Sequence, residues 1–186
     1  MVKIKCLILF FNGFEDTEGI ATRDILIRAG VDVISVSDSS EKIVTTSKKL
    51  DVFTNLSLND IKKIDDYKFL VIPGGNIKTV INNKKILKII KDFNEQKKDI
   101  YAICAAPCIL EKVGLLNNKH FTCYPGFEKN IKGLFENKNV VIDKNIITSK
   151  SMFYSFDFAF AILKRHFGIK MANKIKKDIK PYKNIE

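Results

Sequence analysis

Four short apolar runs, each followed by a longer mixed stretch, constrain this chain most. They are "IKCLILFF" (4–11), "VDVISVS" (31–37), "YKFLVIPGG" (67–75) and "DIYAIC" (99–104). Apolar runs of this length without strict alternation read as strands covered on both faces. Helix-like segments lie between and after them. "EDTEGIATRDILIRA" (15–29) opens with carboxylates and stops before Gly30. In "KKILKIIKDFNEQ" (84–96), Ile86, Ile89, Ile90 and Phe93 recur at helical spacing. "AAPCILEKVGLL" (105–116) reads as a helix with Pro107 in its first turn, where proline is tolerated.

The remaining segments are shorter or later. "KIVTTSKKLDVFTNLS" (42–57) reads as one or two short strands, possible as a hairpin, and a brief helix is expected near 58–64. "NVVIDKNIITS" (139–149) reads as a late hairpin. "SFDFAFAILKRHFG" (155–168) reads as a helix with Phe156, Phe160, Leu163 and Phe167 on one face, and the lysine-rich stretch 170–183 as a last, fraying helix. This alternation predicts an α/β fold: a mostly parallel sheet, right-handed crossovers and helices on both faces. With 186 residues and neither repeat nor linker, the reading is a single domain, 1–186.

Composition narrows the function classes. The net charge of +11 suggests polyanions, but the lysines are scattered among Asn and Ile rather than gathered into a footprint, so no specific nucleic-acid partner is expected. No run is long enough to span a bilayer. The basic start and short "CLILFF" run imitate a signal peptide, yet Asn12 to Asp16 follow without a small-residue cleavage site. The reading is the first strand of a cytoplasmic protein. The four cysteines (Cys6, Cys104, Cys108, Cys123) are no disulfide framework in a chain this long, and two histidines distant in sequence make a poor zinc set with Cys104 and Cys108. Neither metal nor cofactor is expected.

In parallel sheets, sites form beyond the carboxyl ends of the strands. That rule selects Gly13–Glu18, Gly74–Gly75 and Cys104. At a strand-to-helix turn, Cys104 would meet the positive end of the following helix, which favours thiolate and lowers the thiol pKa. Its other reading is a packed core cysteine. Gly74 and Gly75 allow backbone N–H groups to turn towards an oxyanion, or form an ordinary turn. Glu15 and Asp16 read as helix N-terminal charges. Glu18, one turn in, would point over the strand ends, where a neighbouring thiolate raises its pKa and makes it an acid/base. His166 reads as a capping residue, and neither it nor His120 is an obvious base. Cys108 reads as packing.

Together, "NGFEDTEGIATRDILIRAG", "FLVIPGGN", "IYAICAAPCILEKVGLL", "FTCYPGFEKNI" and "ITSKSMFYSFDFAFAIL" resemble the DJ-1/PfpI (ThiJ) family, in its DJ-1 branch, in order and over nearly the whole chain. The resemblance implies a flavodoxin-like three-layer sandwich, usually a homodimer. It implies that Cys104 is the reactive, oxidisable cysteine, Glu18 its protonated hydrogen-bond partner, and Gly75 and Ala105 the oxyanion donors. Asp24 and Arg28 match positions near the site and the dimer contact. Two departures stand out. Tyr124 occupies a position where some members carry histidine, and Met152, Phe153 and Tyr154 replace small residues, which should reshape the pocket mouth. The implied activity is cofactor-independent glyoxalase III or deglycase chemistry on small aldehydes such as glyoxal and methylglyoxal. The alternative is an oxidative-stress sensor or chaperone in which Cys104 becomes a sulfinate. A role in thiazole phosphate biosynthesis finds no phosphate site in the sequence.

Overall fold

The computed structural model describes residues 4–180. Its centre is a seven-stranded sheet built from the apolar runs. In chain order the elements begin β1 (Lys5–Phe10), α1 (Asp16–Arg28), β2 (Asp32–Ser37), β3 (Ile43–Thr45), β4 (Asp51–Phe53), β5 (Leu56–Ser57) and β6 (Phe69–Ile72). There follow α2 (Lys84–Glu95), β7 (Asp99–Ile103), α3 (Pro107–Glu111), β8 (His120–Phe121), β9 (Leu134–Phe135), β10 (Val140–Asp143), β11 (Ile146–Ser149) and α4 (Ser155–Ile179). The sheet order is β10-β11-β7-β6-β1-β2-β5, parallel throughout except for the β10–β11 hairpin.

The chain leaves β1 in one direction across the sheet and β6 in the other. Right-handed crossovers therefore put α1 and α2 on opposite faces. Helix α1 packs on α4, and α2 packs on β6 and β7. This is the flavodoxin-like sandwich expected. It buries β1, β6 and β7 almost completely, which is why their sequences are apolar without alternation.

Several local expectations give way. Residues 58–64 form turns and irregular chain, not a helix. The segment 105–116 is helical only over Pro107–Glu111, and then turns through Gly114 at φ +72°. The 42–57 segment does form a hairpin, β3–β4, and β5 returns to the main sheet. On α4 the buried stripe is Ser155, Phe158, Ala159, Ile162 and Leu163, whereas Phe156 is exposed. Gly168 (φ 78°, ψ 170°) interrupts α4, so the lysine-rich stretch is a second helical segment to Ile179. Residues 181–183 of that expected helix lie outside the described residues.

His166 is not a cap. Its ring is 5% exposed, stacked on Phe69 with centroids 4.5 Å apart, and its Nε2 lies 2.7 Å from the Tyr101 hydroxyl. Burial holds its pKa down at about 4, against the pull of Asp99, whose carboxylate is 3.6 Å away. The unfolded chain therefore binds more protons than the folded one between pH 4 and 6.5. Stability is lost as pH falls through that window, by up to roughly 3 kcal/mol from this group. Melting curves from pH 7 to 4 should fall more steeply for the wild type than for His166→Gln. Parallel curves would contradict this assignment.

Candidate active site

The carboxyl ends of β1, β6 and β7 deliver three short segments to one place. After β7, Cys104 turns the chain at φ +65°, a left-handed conformation that costs a non-glycine residue about 1 kcal/mol or more. Two backbone bonds hold it there: the Cys104 N–H donates to the Ser149 carbonyl at 2.9 Å, and the Tyr124 N–H donates to the Cys104 carbonyl at 2.9 Å. The result is a nucleophile-elbow geometry that lifts the thiol away from its strand. Cys104 is half-buried, whereas Cys6, Cys108 and Cys123 are buried. Cys108 packs inward with its thiol 3.9 Å from the Phe127 carbonyl, as the sequence reading had it.

Glu18 reaches the thiol from the first turn of α1. Glu15 caps that turn, its carboxylate accepting the Glu18 N–H at 2.8 Å. Asp16 instead accepts from the Thr46 and Ser47 hydroxyls at 2.7 and 3.1 Å and so holds the β3–β4 turn against the helix start. The Glu18 side chain is fully buried. Its Oε2 accepts the Gly74 N–H at 2.7 Å, while Oε1 is buried with no hydrogen-bond partner. A buried carboxylate with an unmet acceptor favours its neutral form. Burial accordingly raises the Glu18 pKa to about 7, although the Cys104 and Gly74 donors oppose the shift.

The two glycines thus divide their work: Gly74 serves Glu18, and Gly75 serves the thiol. A Cβ on Gly74 would lie 2.7 Å from the Cys104 Cβ and 2.8 Å from Glu18 Oε2, so only glycine fits between the pair. Gly75 adopts φ +105° in an antiparallel bridge with Phe14. Its N–H and that of Ala105 face the sulfur and favour its anion.

The expected lowering of the thiol pKa by a helix end is not found. Helix α3 has five residues and begins at Pro107, too short to carry a strong end field. Burial, followed by the nearby Glu18 charge, pushes the Cys104 thiol up despite the two N–H donors. With Glu18 neutral the charge repulsion disappears and the two N–H donors remain. Protonation of Glu18 therefore favours the Cys104 thiolate, and its ionisation disfavours it.

Other candidates fall elsewhere. Asp24 and Arg28 pair with each other at 2.6 Å on the exposed side of α1, not with Cys104. The Tyr124 backbone touches Cys104, while its ring is 47% exposed and lies edge-on to Phe127. Met152, Phe153 and Tyr154 form a single turn just beyond β11, with Phe153 79% exposed, so this bulk faces outward. His120 pairs with Glu136 at 2.6 Å, and His166 with Tyr101, so neither is part of this cluster. No described helix is long and apolar enough to cross a membrane.

The model of the DJ-1/PfpI family matches residues 4–165. The chain belongs to that family. It is 30% identical to DJ-1alpha of Drosophila melanogaster over 176 residues, covering 92% of this chain and 81% of that protein. It is 29% identical to a Caenorhabditis elegans protein named glutathione-independent glyoxalase DJR-1.2, covering 89% of each. It is also 29% identical to DJ-1 homolog B of Arabidopsis thaliana, covering 87% of this chain but only 38% of that longer protein. Among solved structures, Drosophila melanogaster DJ-1beta superposes with a TM-score of 0.89 at 26% identity, covering 97% of this chain and all of that one.

Proposed function

We propose that this member of the DJ-1/PfpI family is a cofactor-independent glyoxalase of small α-oxoaldehydes, with a hydroxy acid as product. The observation that carries the reading is the fully buried Glu18 carboxyl, held by the Gly74 N–H at 2.7 Å, beside the half-buried Cys104 thiol at its left-handed turn. The glyoxalase name of the Caenorhabditis elegans relative supports it.

With methylglyoxal, the Cys104 thiolate attacks the aldehyde carbon. The Gly75 and Ala105 N–H groups stabilise the developing oxyanion, and Glu18 protonates it to a hemithioacetal. Carboxylate Glu18 then takes the proton from that carbon and returns it to the neighbouring carbon, while the hemithioacetal hydroxyl proton passes to the neighbouring carbonyl oxygen, leaving a lactyl thioester. Water hydrolyses the thioester to lactate and free thiol. One carbon is oxidised and its neighbour reduced, so the sum is methylglyoxal plus water giving lactate, with no outside oxidant. Deglycation of early aldehyde adducts would use the same thiol.

The test is lactate formation from methylglyoxal without added thiol, read at neutral pH. Turnover above the protein-free rate is expected, and its absence would sink the enzyme reading. The half-exposure of Cys104 favours a second reading, a peroxide sensor. Its signature is two oxygens on Cys104 before Cys6, Cys108 or Cys123, read by mass spectrometry. Oxidation of another cysteine first would exclude it.

A cytoplasmic homodimer completes the proposal. Ile20 and Ile27 flank the Asp24–Arg28 pair on α1, and the adjoining hairpin carries Leu50 and Phe53, the latter 81% exposed. Covering such residues is what a second copy would do. Sedimentation as a monomer at every concentration would contradict it.

A further inference from the structure

Gly75 is not held by the strand that precedes it, because β6 ends at Ile72. The loop after β1 holds it instead. The Glu15 N–H donates to the Gly74 carbonyl at 3.0 Å, and the Asn76 N–H donates to the Gly13 carbonyl at 2.8 Å, on either side of the Phe14–Gly75 bridge. The fit leaves no slack: a Cβ on Gly75 would lie 2.3 Å from the Gly13 carbonyl oxygen. The aim of the Gly75 N–H is therefore set by residues 13–15.

That loop is anchored in turn. The Gly13 N–H donates to the Thr45 carbonyl at 2.7 Å, and the Ser47 N–H to the Phe14 carbonyl at 2.8 Å. One side chain joins the surrounding elements. Asn12 Oδ1 accepts the Thr45 N–H at 3.0 Å, and Asn12 Nδ2 donates to Asp38 Oδ1 at 3.4 Å. The Asn12 backbone N–H also donates to Asp38 Oδ1 at 3.3 Å, and its carbonyl accepts the Thr79 hydroxyl at 3.1 Å. Asn12 thus ties the end of β1 to the end of β2, to the β3–β4 hairpin and to the turn that follows Gly75.

We infer that Asn12 is a positioning residue for the thiol site, fixing through residues 13–15 the direction in which the Gly75 N–H meets the sulfur and the oxyanion. Its effect on turnover rests on the glyoxalase reading above. Its effect on thiol ionisation does not. Asn12 never touches the reacting atoms, so its removal misdirects a donor without deleting one. Misplacement on that scale costs less than losing an oxyanion donor, about tenfold in rate.

The amide chemistry supplies a sharp test. Asn12→Ala should lower kcat for methylglyoxal about tenfold with KM within about twofold. It should also raise the pH midpoint of Cys104 alkylation by iodoacetamide, because the thiolate loses a well-aimed donor. Asn12→Asp should do the same, since it sets two carboxylates against each other. The exchange Asn12→Asp with Asp38→Asn restores a donor–acceptor pair with its direction reversed and leaves the Thr45 N–H its acceptor. That double variant should recover both readouts. Thermal melts identify any variant that fails to fold, and the double variant then carries the test through its alkylation midpoint. An unchanged midpoint in folded Asn12→Ala would overturn the inference. So would a folded double variant no better than Asn12→Asp. Absence of methylglyoxal turnover in the wild type would remove the glyoxalase reading while the alkylation midpoints still decide the role of Asn12.

Discussion

Glu18→Gln is expected to stabilise the fold above pH 7 while lowering lactate formation by about a hundredfold or more. The Glu18 pKa stands near 7 in the folded protein against 4.5 for an ordinary glutamate. Between those values the folded chain holds the extra proton, so raising the pH through the window costs stability. The cost is complete above pH 7, where a charge must sit in a buried site, and amounts to roughly 3 kcal/mol at the limit. Glutamine is neutral at every pH. Its carbonyl can accept the Gly74 N–H, and its amide can face the sulfur. Thermal melts at pH 8.5 should therefore favour the variant, and the advantage should vanish below about pH 4.5. A variant less stable than wild type at high pH would mean that Glu18 is held as a carboxylate. Activity within twofold of wild type would remove Glu18 from the chemistry.

Gly74→Ala has the opposite character: both stability and activity are expected to fall. The new methyl would press on the Cys104 Cβ at 2.7 Å and on the Ala105 nitrogen at 2.9 Å, and these are not flexible ends of side chains. Overpacking of this kind costs about 1–3 kcal/mol. To relax, the site must part Cys104 from Glu18, and lactate formation should drop to the background rate. Gly30→Ala is the control, because its Cβ would meet nothing within 4 Å and only its φ of +86° is strained. Equal loss of activity in the two variants would show that general destabilisation, not crowding of the pair, is responsible.

Much of this site was legible in the sequence. Apolar runs without alternation marked the buried strands, and the carboxyl-edge rule then gathered Glu18, Gly75 and Cys104. The direction of the thiol shift was not legible, because it depends on burial depth and on the length of α3. A segment such as "AAPCILEKVGLL" does not reveal that its helix stops after five residues. The separate duties of Gly74 and Gly75 depend on the bridge to Phe14, a contact between segments far apart in sequence. Asp24 and Arg28, which the resemblance sets near the site and the dimer contact, stand one helical turn apart and pair with each other on the exposed side of α1, a contact that the resemblance does not give. On α4 the expected face of Phe156, Phe160, Leu163 and Phe167 holds in part: Leu163 is buried and Phe160 and Phe167 pack against the core, whereas Phe156 is exposed and the buried stripe runs on through Phe158 and Ile162. Asn12 drew no attention in "FFNGFED", since only the fold brings Asp38, Thr45 and Thr79 to it.

The central claim is that Cys104 bonds to the aldehyde carbon and Glu18 then moves its proton. Carbon NMR of methylglyoxal labelled at the aldehyde carbon, bound to Glu18→Gln, tests it most directly. Blocking the proton transfer should let the hemithioacetal accumulate, giving a signal from a carbon bonded to both oxygen and sulfur. That signal should be absent when Cys104 is also replaced by serine. Hydrate signals alone, in a preparation whose wild-type counterpart makes lactate, would contradict the account.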